Sequence, residues 1–260
     1  MRSGEFCAAS LGNSTTKRRA NDRVGKAAVK EDRRSALFLY LLFVIPPMIL
    51  AMIAQGLVSS RYAQAKQVPA SLTGAAAARR VLDSVGLQAV EIERVPGHLT
   101  DHYDPSAKVL RLSDEVYDGR NLAAIGIAAH EAGHAIQDAK RYAPMVVRQL
   151  AVPAASFGSN SAFLLIILGA AMNAAGLILA GVVCFGLVAA FQIINLPVEF
   201  NASSRAKERL AALGFVGPQE APIVRGVLSA AALTYVAAML SALMTFLYYA
   251  LMFFGGSRDE

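Results

Sequence analysis

Two histidines four residues apart, with a glutamate directly after the first, make the stretch His130-Glu131-Ala132-Gly133-His134 a candidate metal site. On an α-helix this spacing sets both imidazoles on one face, one turn apart, where both can reach a single Zn2+ ion at about 2.0 Å. Glu131 projects beside that face. A carboxylate there can take a proton from a water activated by the metal and later give it to a leaving amine, so the pattern points to peptide hydrolysis with Glu131 as catalytic base and acid. The chain has only four histidines, and finding two at this spacing with Glu in the required slot is a specific signal. The competing reading is a buried helix with two incidental histidines. The small or uncharged neighbours Ala128, Ala129, Gly133, Ala135 and Ile136 suit a helix packed behind a metal.

A catalytic zinc needs a third protein ligand and an open position for water. The two cysteines, Cys7 in a basic tail and Cys184 in an apolar run, can form neither a disulfide framework nor a thiolate cluster, which leaves His and carboxylate as ligands. Glu199 is the candidate. It opens the polar segment Glu199-Phe200-Asn201-Ala202-Ser203-Ser204-Arg205 behind Pro197, a residue suited to the first turn of a helix. The competing role for Glu199 is an interfacial carboxylate paired with Arg205 or Lys207. His98 and His102 are rival ligands or hydrogen-bond donors, better read as surface or loop residues. Tyr235 lies in an apolar run, where an aromatic side chain more often packs than stabilises an oxyanion. The strand expected at Val109 to Leu112 could be an edge that accepts an extended substrate, or ordinary sheet.

The elements that must position these residues alternate between apolar and polar stretches. Of the 260 residues, 55% are hydrophobic and 17% charged, and the mean hydropathy is positive, too apolar for an ordinary soluble domain. Residues 1–34 are basic and without periodicity, and are expected to be a disordered tail. Much of the net charge of +6 lies there, around Lys17-Arg18-Arg19 and Arg33-Arg34. A basic stretch directly before an apolar span fits anionic headgroups better than nucleic acid, so no nucleic-acid partner is expected. Residues 35–58 are expected to form a transmembrane helix kinked at Pro46-Pro47.

Residues 59–160 read as a small α+β, zincin-like catalytic region. It would hold a helix over Ala75 to Leu82 capped by Thr73 and ended near Gly86, strands at Val90 to Val95, Leu99 to Tyr103 and Val109 to Leu112, and the motif helix from Leu122 to about Asp138 capped by Asn121. From Ser161 to Val198 there is no charge. One helix of that length would measure about 55 Å against a hydrocarbon core of about 30 Å, so 161–198 is expected to be a transmembrane hairpin turning near Asn173 and Gly176. The hairpin returns the chain to the side it left, which puts Glu199 on the same side as His130 and His134. Residues 199–226 would form the third-ligand helical segment, 227–254 a fourth span and 255–260 a tail. The fold class is therefore mainly α: a polytopic membrane protein of about four transmembrane helices with a small α+β catalytic region.

At these residues the chain resembles the YugP-type neutral zinc metallopeptidases. The resemblance runs from about Ala36 to Phe254 through Leu72-Thr73-Gly74, Val95-Pro96-Gly97-His98, Ala129 to Asp138, Leu196 to Ser203 and Ala231 to Tyr235, several motifs in one order. It implies a Glu-liganded zinc protease core similar to that of the HtpX and prenyl-protein protease group, where a later Glu-x-x-Ala-Asp segment supplies the third ligand. Glu199 matches that ligand, while Ser203 stands where that group has Asp, a departure that removes a carboxylate from the shell around a zinc histidine.

The expected function is a membrane-embedded zinc endopeptidase acting on membrane-associated or membrane-proximal polypeptides, in a bacterial-type plasma membrane, with the lipid bilayer as its other partner. The alternative is a catalytically silent zinc-containing scaffold or assembly factor, which a fourth His or Cys at the metal would favour. A transporter or channel would need charges within the spans, which the apolar runs lack. The basic tail suggests a cytoplasmic N-terminus and a site across the membrane from it, whereas the related proteases keep their zinc on the cytoplasmic side. The sequence sets no oligomeric state.

Overall fold

A computed structural model describes residues 8–255, with side chains described for Arg34 and from Leu37 onward. The chain divides into two units at Ile45 and Pro46, both traversed by α1 (Ala8–Lys66). Residues 8–34 are helical, which differs from the disorder expected of them. Their Ala, Lys and Arg favour helix, and extending an existing helix needs no second nucleus. Residues 1–7 of the expected tail, and 256–260 at the other end, lie outside the described residues.

From Pro46 onward the elements are the rest of α1, then α2 (Gly74–Asp83), β1 (Glu91–Val95), β2 (His102–Asp104), β3 (Val109–Ser113), α3 (Asp114–Tyr117), α4 (Leu122–Ala139), α5 (Ala143–Ala171), α6 (Ala175–Ala212) and α7 (Ala221–Gly255). Both expected caps are formed. Thr73 Oγ1 accepts from the N–H of Ala76, and Asn121 Oδ1 from that of Ala124, each satisfying a first-turn donor that the helix leaves free.

The three strands form one sheet in the order β1-β3-β2, with β1 parallel and β2 antiparallel to β3. Strand β3 is thus the centre of the sheet, not an edge, which corrects one reading of Val109 to Leu112. Its pattern explains this: Val109, Leu110, Leu112 and Ser113 are buried, as a strand flanked on both sides requires. Strand β2 begins at His102 rather than Leu99 because Gly97 and Leu99 have positive φ and the Thr100 hydroxyl donates to the carbonyl of Pro96, making a turn there. Asp104 ends β2 by accepting from the N–H groups of Ser106 and Ala107, an Asx-type turn. Those two N–H groups, with the Arg111 guanidinium, hold its carboxyl down at about 2. Ala77, Ala78, Val81 and Leu82 of α2, Leu110 and Leu112 of β3, and Ile125, Ala128, Ala129 and Ile136 of α4 share one core.

Among the described residues four helices are long and apolar enough to cross a membrane: Leu37–Lys66, Ala143–Ala171, Ala175–Ala212 and Ala221–Gly255, and only 11% to 28% of each apolar window is buried. Apolar surface on this scale, including Leu150, Phe157, Phe163 and Ile167, is stable against hydrocarbon rather than water. The protein is therefore a mainly α, polytopic membrane protein. The hairpin turns at 172–174, with Asn173 at positive φ. Its helices run beyond the uncharged stretch in both directions. Helix α5 starts at Ala143, and α6 continues through Pro197 and Glu199 to Ala212, so Pro197 lies inside a helix rather than at a helix start. The arms approach through small residues, since a Cβ at Gly158 would lie 2.8 Å from the carbonyl oxygen of Cys184, and one at Gly181 would lie 2.8 Å from that of Ala162.

Candidate metal centre

Helix α4 packs across α6 and α7, and the contact with α6 sets the site. Gly133 allows the approach. A Cβ there would meet the backbone carbonyl oxygen of Ala202 at 2.7 Å, so only glycine lets α4 come this near. Replacing Gly133 with alanine is expected to force the helices apart and destabilise the fold by about 1–3 kcal/mol. A lowered thermal midpoint in detergent, together with reduced zinc content, checks this.

Across that contact the Nε2 atoms of His130 and His134 lie 3.3 and 3.6 Å from the same oxygen, Oε2 of Glu199. One ligand atom from each residue falls within 4.8 Å of the others. Donors bound tetrahedrally at about 2.0–2.1 Å stand about 3.3–3.4 Å apart, so two of these separations are close to what zinc requires. Among the described residues the cluster has three members and no fourth His, Cys, Asp or Glu.

Hydrogen bonds behind the rings aim both imidazoles. The Nε2 of Gln137 donates to the carbonyl of Val198 at 2.7 Å and to Oδ1 of Asn201 at 3.1 Å, which turns its Oε1 toward Nδ1 of His134 at 3.0 Å. An amide oxygen only accepts, so Nδ1 of His134 carries the proton and Nε2 keeps the lone pair a metal needs. On His130, Nδ1 lies 3.2 Å from the Ser203 hydroxyl. Ser203 therefore does by a neutral hydrogen bond what Asp would do at that position with charge. Gln137 is fully buried. Changing it to leucine should weaken zinc binding about 10- to 100-fold, as loss of an outer partner commonly does. Competition against a chromogenic chelator measures this directly.

Glu131, partly exposed, projects beside the cluster, where burial pushes its carboxyl up to about 7. The charges of Glu199 and Asp101 act in the same sense, while His130 and the backbone N–H of Tyr103 on β2 act against it. The N–H of Tyr103 places the outer edge of the sheet next to Glu131. The Tyr103 hydroxyl donates to Asp138, which also accepts from Lys108, and so ties β2 to the end of α4.

The four residues singled out by the motif and its expected third ligand thus stand together. The rivals do not join them: His98 pairs with Glu115, and Nδ1 of His102 faces the carbonyl of Thr100. Neither Arg205 nor Lys207 is the partner of Glu199. Arg205 donates to Asn201, and the cation nearest Glu199 is Arg148 of α5, 3.7 Å from Oε1. Arg148 was legible, since it is the sole charge between Arg141 and Glu199, and a lone charge in an apolar helix marks a site. The charges of Glu199, Glu131 and Arg148 all act on the Tyr235 hydroxyl of α7, so this tyrosine lies near the centre.

A family described as "Putative neutral zinc metallopeptidase" matches residues 40–254. The chain is 45% identical over 224 residues to a protein of Bacillus subtilis (strain 168) described as "Putative membrane protease YugP", covering 85% of this chain and 99% of that one. No solved structure matches it. Since the match takes in α4 and α6 with everything between them, the chain belongs to the YugP-type family of neutral zinc metallopeptidases.

Proposed function

We infer that the protein is a zinc-dependent endopeptidase embedded in a bacterial-type plasma membrane, hydrolysing peptide bonds of membrane-associated or membrane-proximal polypeptides. The observation that carries this reading is the three-member cluster of His130, His134 and Glu199 beside Glu131, with no fourth protein ligand among the described residues. A structural zinc site closes its fourth position with protein, whereas a catalytic one leaves it to water and substrate. The family description and the relative's description as a membrane protease support the same chemistry.

Zinc held by these three side chains would supply a Lewis acid for the scissile carbonyl and for the attacking water. Glu131 takes the proton of that water on a carboxylate oxygen and delivers it to the departing amine nitrogen. Gln137 and Ser203 hold the two imidazoles in the tautomer and orientation that keep Nε2 available. The free edge of β2, whose Tyr103 N–H faces Glu131, is where an extended polypeptide can add as a further strand and bring its carbonyl to the site. Glu199 sits in α6 directly after the uncharged stretch ending at Val198, so the bond to be cut must come close to the bilayer.

The test is hydrolysis in proteoliposomes of one fluorogenic peptide presented in two ways, lipid-anchored and free. The anchored form is expected to be cut at least about tenfold faster at equal bulk concentration, through raised local concentration. Equal rates would remove the membrane-proximal part of the reading. Stoichiometric zinc with neither peptide cut would favour the silent scaffold.

A further inference from the structure

Helices α6 and α7 enclose two cavities that meet at Lys207. The first, of about 200 Å³, is lined by Phe200, Ser204, Leu233 and Val236 among others, and the second, of about 120 Å³, extends toward Val216 and Arg225. Their order along the helices is informative. The uncharged stretch of α6 ends at Val198, and Lys207 follows it. Arg225 is the last charge before the uncharged stretch of α7. Both cations therefore stand at the same end of this antiparallel pair, Arg225 directly before the uncharged stretch of α7 and Lys207 about 13 Å along α6 beyond Val198, while the first cavity reaches back along apolar walls.

Among the described residues neither Lys207 nor Arg225 has an acidic partner in any of the ion pairs. A third cation lies close by: a Cβ on Gly226 would sit 3.5 Å from Cδ of Arg61, and the hydrogen bond of Arg61 goes to the neutral side chain of Gln64. Three unpaired cations toward one end of an apolar slot that serine hydroxyls also line are complementary to one amphiphile with a negative head.

We propose that the α6–α7 groove is a binding site for an anionic phospholipid, its phosphate held by Lys207 and Arg225 with Arg61 alongside, and one acyl chain lying against Phe200, Leu233 and Val236. The site is separate from the substrate side of the metal centre. Ser203, which also lines the first cavity, meets His130 at Nδ1, the ring nitrogen facing away from Glu199, so the lipid lies behind the histidine that the substrate would face.

The experiment is native mass spectrometry of the full chain in detergent, titrated with dioleoyl phosphatidylglycerol, with dioleoyl phosphatidylcholine of identical chains, and with inorganic phosphate. Wild type is expected to hold one phosphatidylglycerol at least about tenfold more tightly than phosphatidylcholine. Lys207→Gln should weaken that adduct about fivefold, the worth of one cation at a membrane surface, and Lys207→Arg should restore it. Leu233→Trp, which fills the slot and keeps every charge, should abolish the adduct while size-exclusion behaviour stays that of wild type. Phosphate alone should not displace the lipid. Equal binding of the two lipids would overturn the proposal in favour of ordinary boundary lipid. Displacement by phosphate would reduce the site to one for a free anion, and an adduct unchanged in both Lys207→Gln and Leu233→Trp would place the lipid elsewhere. None of these readouts depends on peptidase activity, so failure here leaves the functional reading intact.

Discussion

Glu131→Gln should leave the protein folded and zinc-loaded but lower kcat by about 10²–10⁴-fold, the range that a positioned general base and acid supplies. The reason lies in which atoms do what. The Nε2 atoms of His130 and His134 converge on Oε2 of Glu199, while Glu131 is outside that cluster, so an amide in its place removes no ligand. It does remove the group that can hold a proton between the attacking water and the leaving nitrogen. Gln is isosteric, so the packing of β2 beside α4 is kept. The expected kinetic pattern is a fall in kcat and kcat/KM together with KM little changed. Zinc content and thermal midpoint, measured on the same preparation, should match wild type.

Glu199→Ala should fail differently, losing the metal first and the activity as a consequence. Two imidazoles alone bind zinc weakly, and affinity is expected to fall by more than about 100-fold, beyond what loss of an outer hydrogen bond costs. Glu199 is only 3% exposed and faces His130, His134 and Arg148, so alanine also leaves a gap with a cation beside it. Glu199→Gln separates the two effects by keeping the volume while removing the negative charge. Zinc lost from both variants would identify the carboxylate as the ligand. Zinc retained in both would assign Glu199 to packing against Arg148.

Much of this arrangement was legible in the sequence because it rests on local rules. The i, i+4 histidines and the Asn121 and Thr73 caps are decided within a few residues, and all take the expected form. The position of Glu199 required a topological step, since a hairpin of two spans brings it back beside α4. What escaped depends on contacts between distant segments. The central position of β3 follows from pairing with β1 on one side and β2 on the other, which alternation within Val109 to Leu112 does not reveal. Gln137 is a polar residue near the end of a helix, and its role appears only when the Val198 carbonyl and Asn201 of α6 fix its amide. The ends of α5 and α6 lie beyond the uncharged stretch because charge, not helix propensity, bounds that stretch. Both helices carry on past the charges, and those charges, Arg148 and Glu199, are the ones that face the centre.

The most direct test of the central claim couples zinc stoichiometry to hydrolysis in one sample. Detergent-purified protein is stripped with a chelator and reloaded stepwise with Zn2+, and bound metal and the rate of cleavage of a casein-type substrate are read at each step. The account predicts one zinc per chain, activity abolished on stripping and regained in proportion to the metal restored, with Glu131→Gln taking up the same zinc and regaining no activity. Hydrolysis that persists after complete zinc removal, or reloading that restores activity equally in Glu131→Gln, would contradict it.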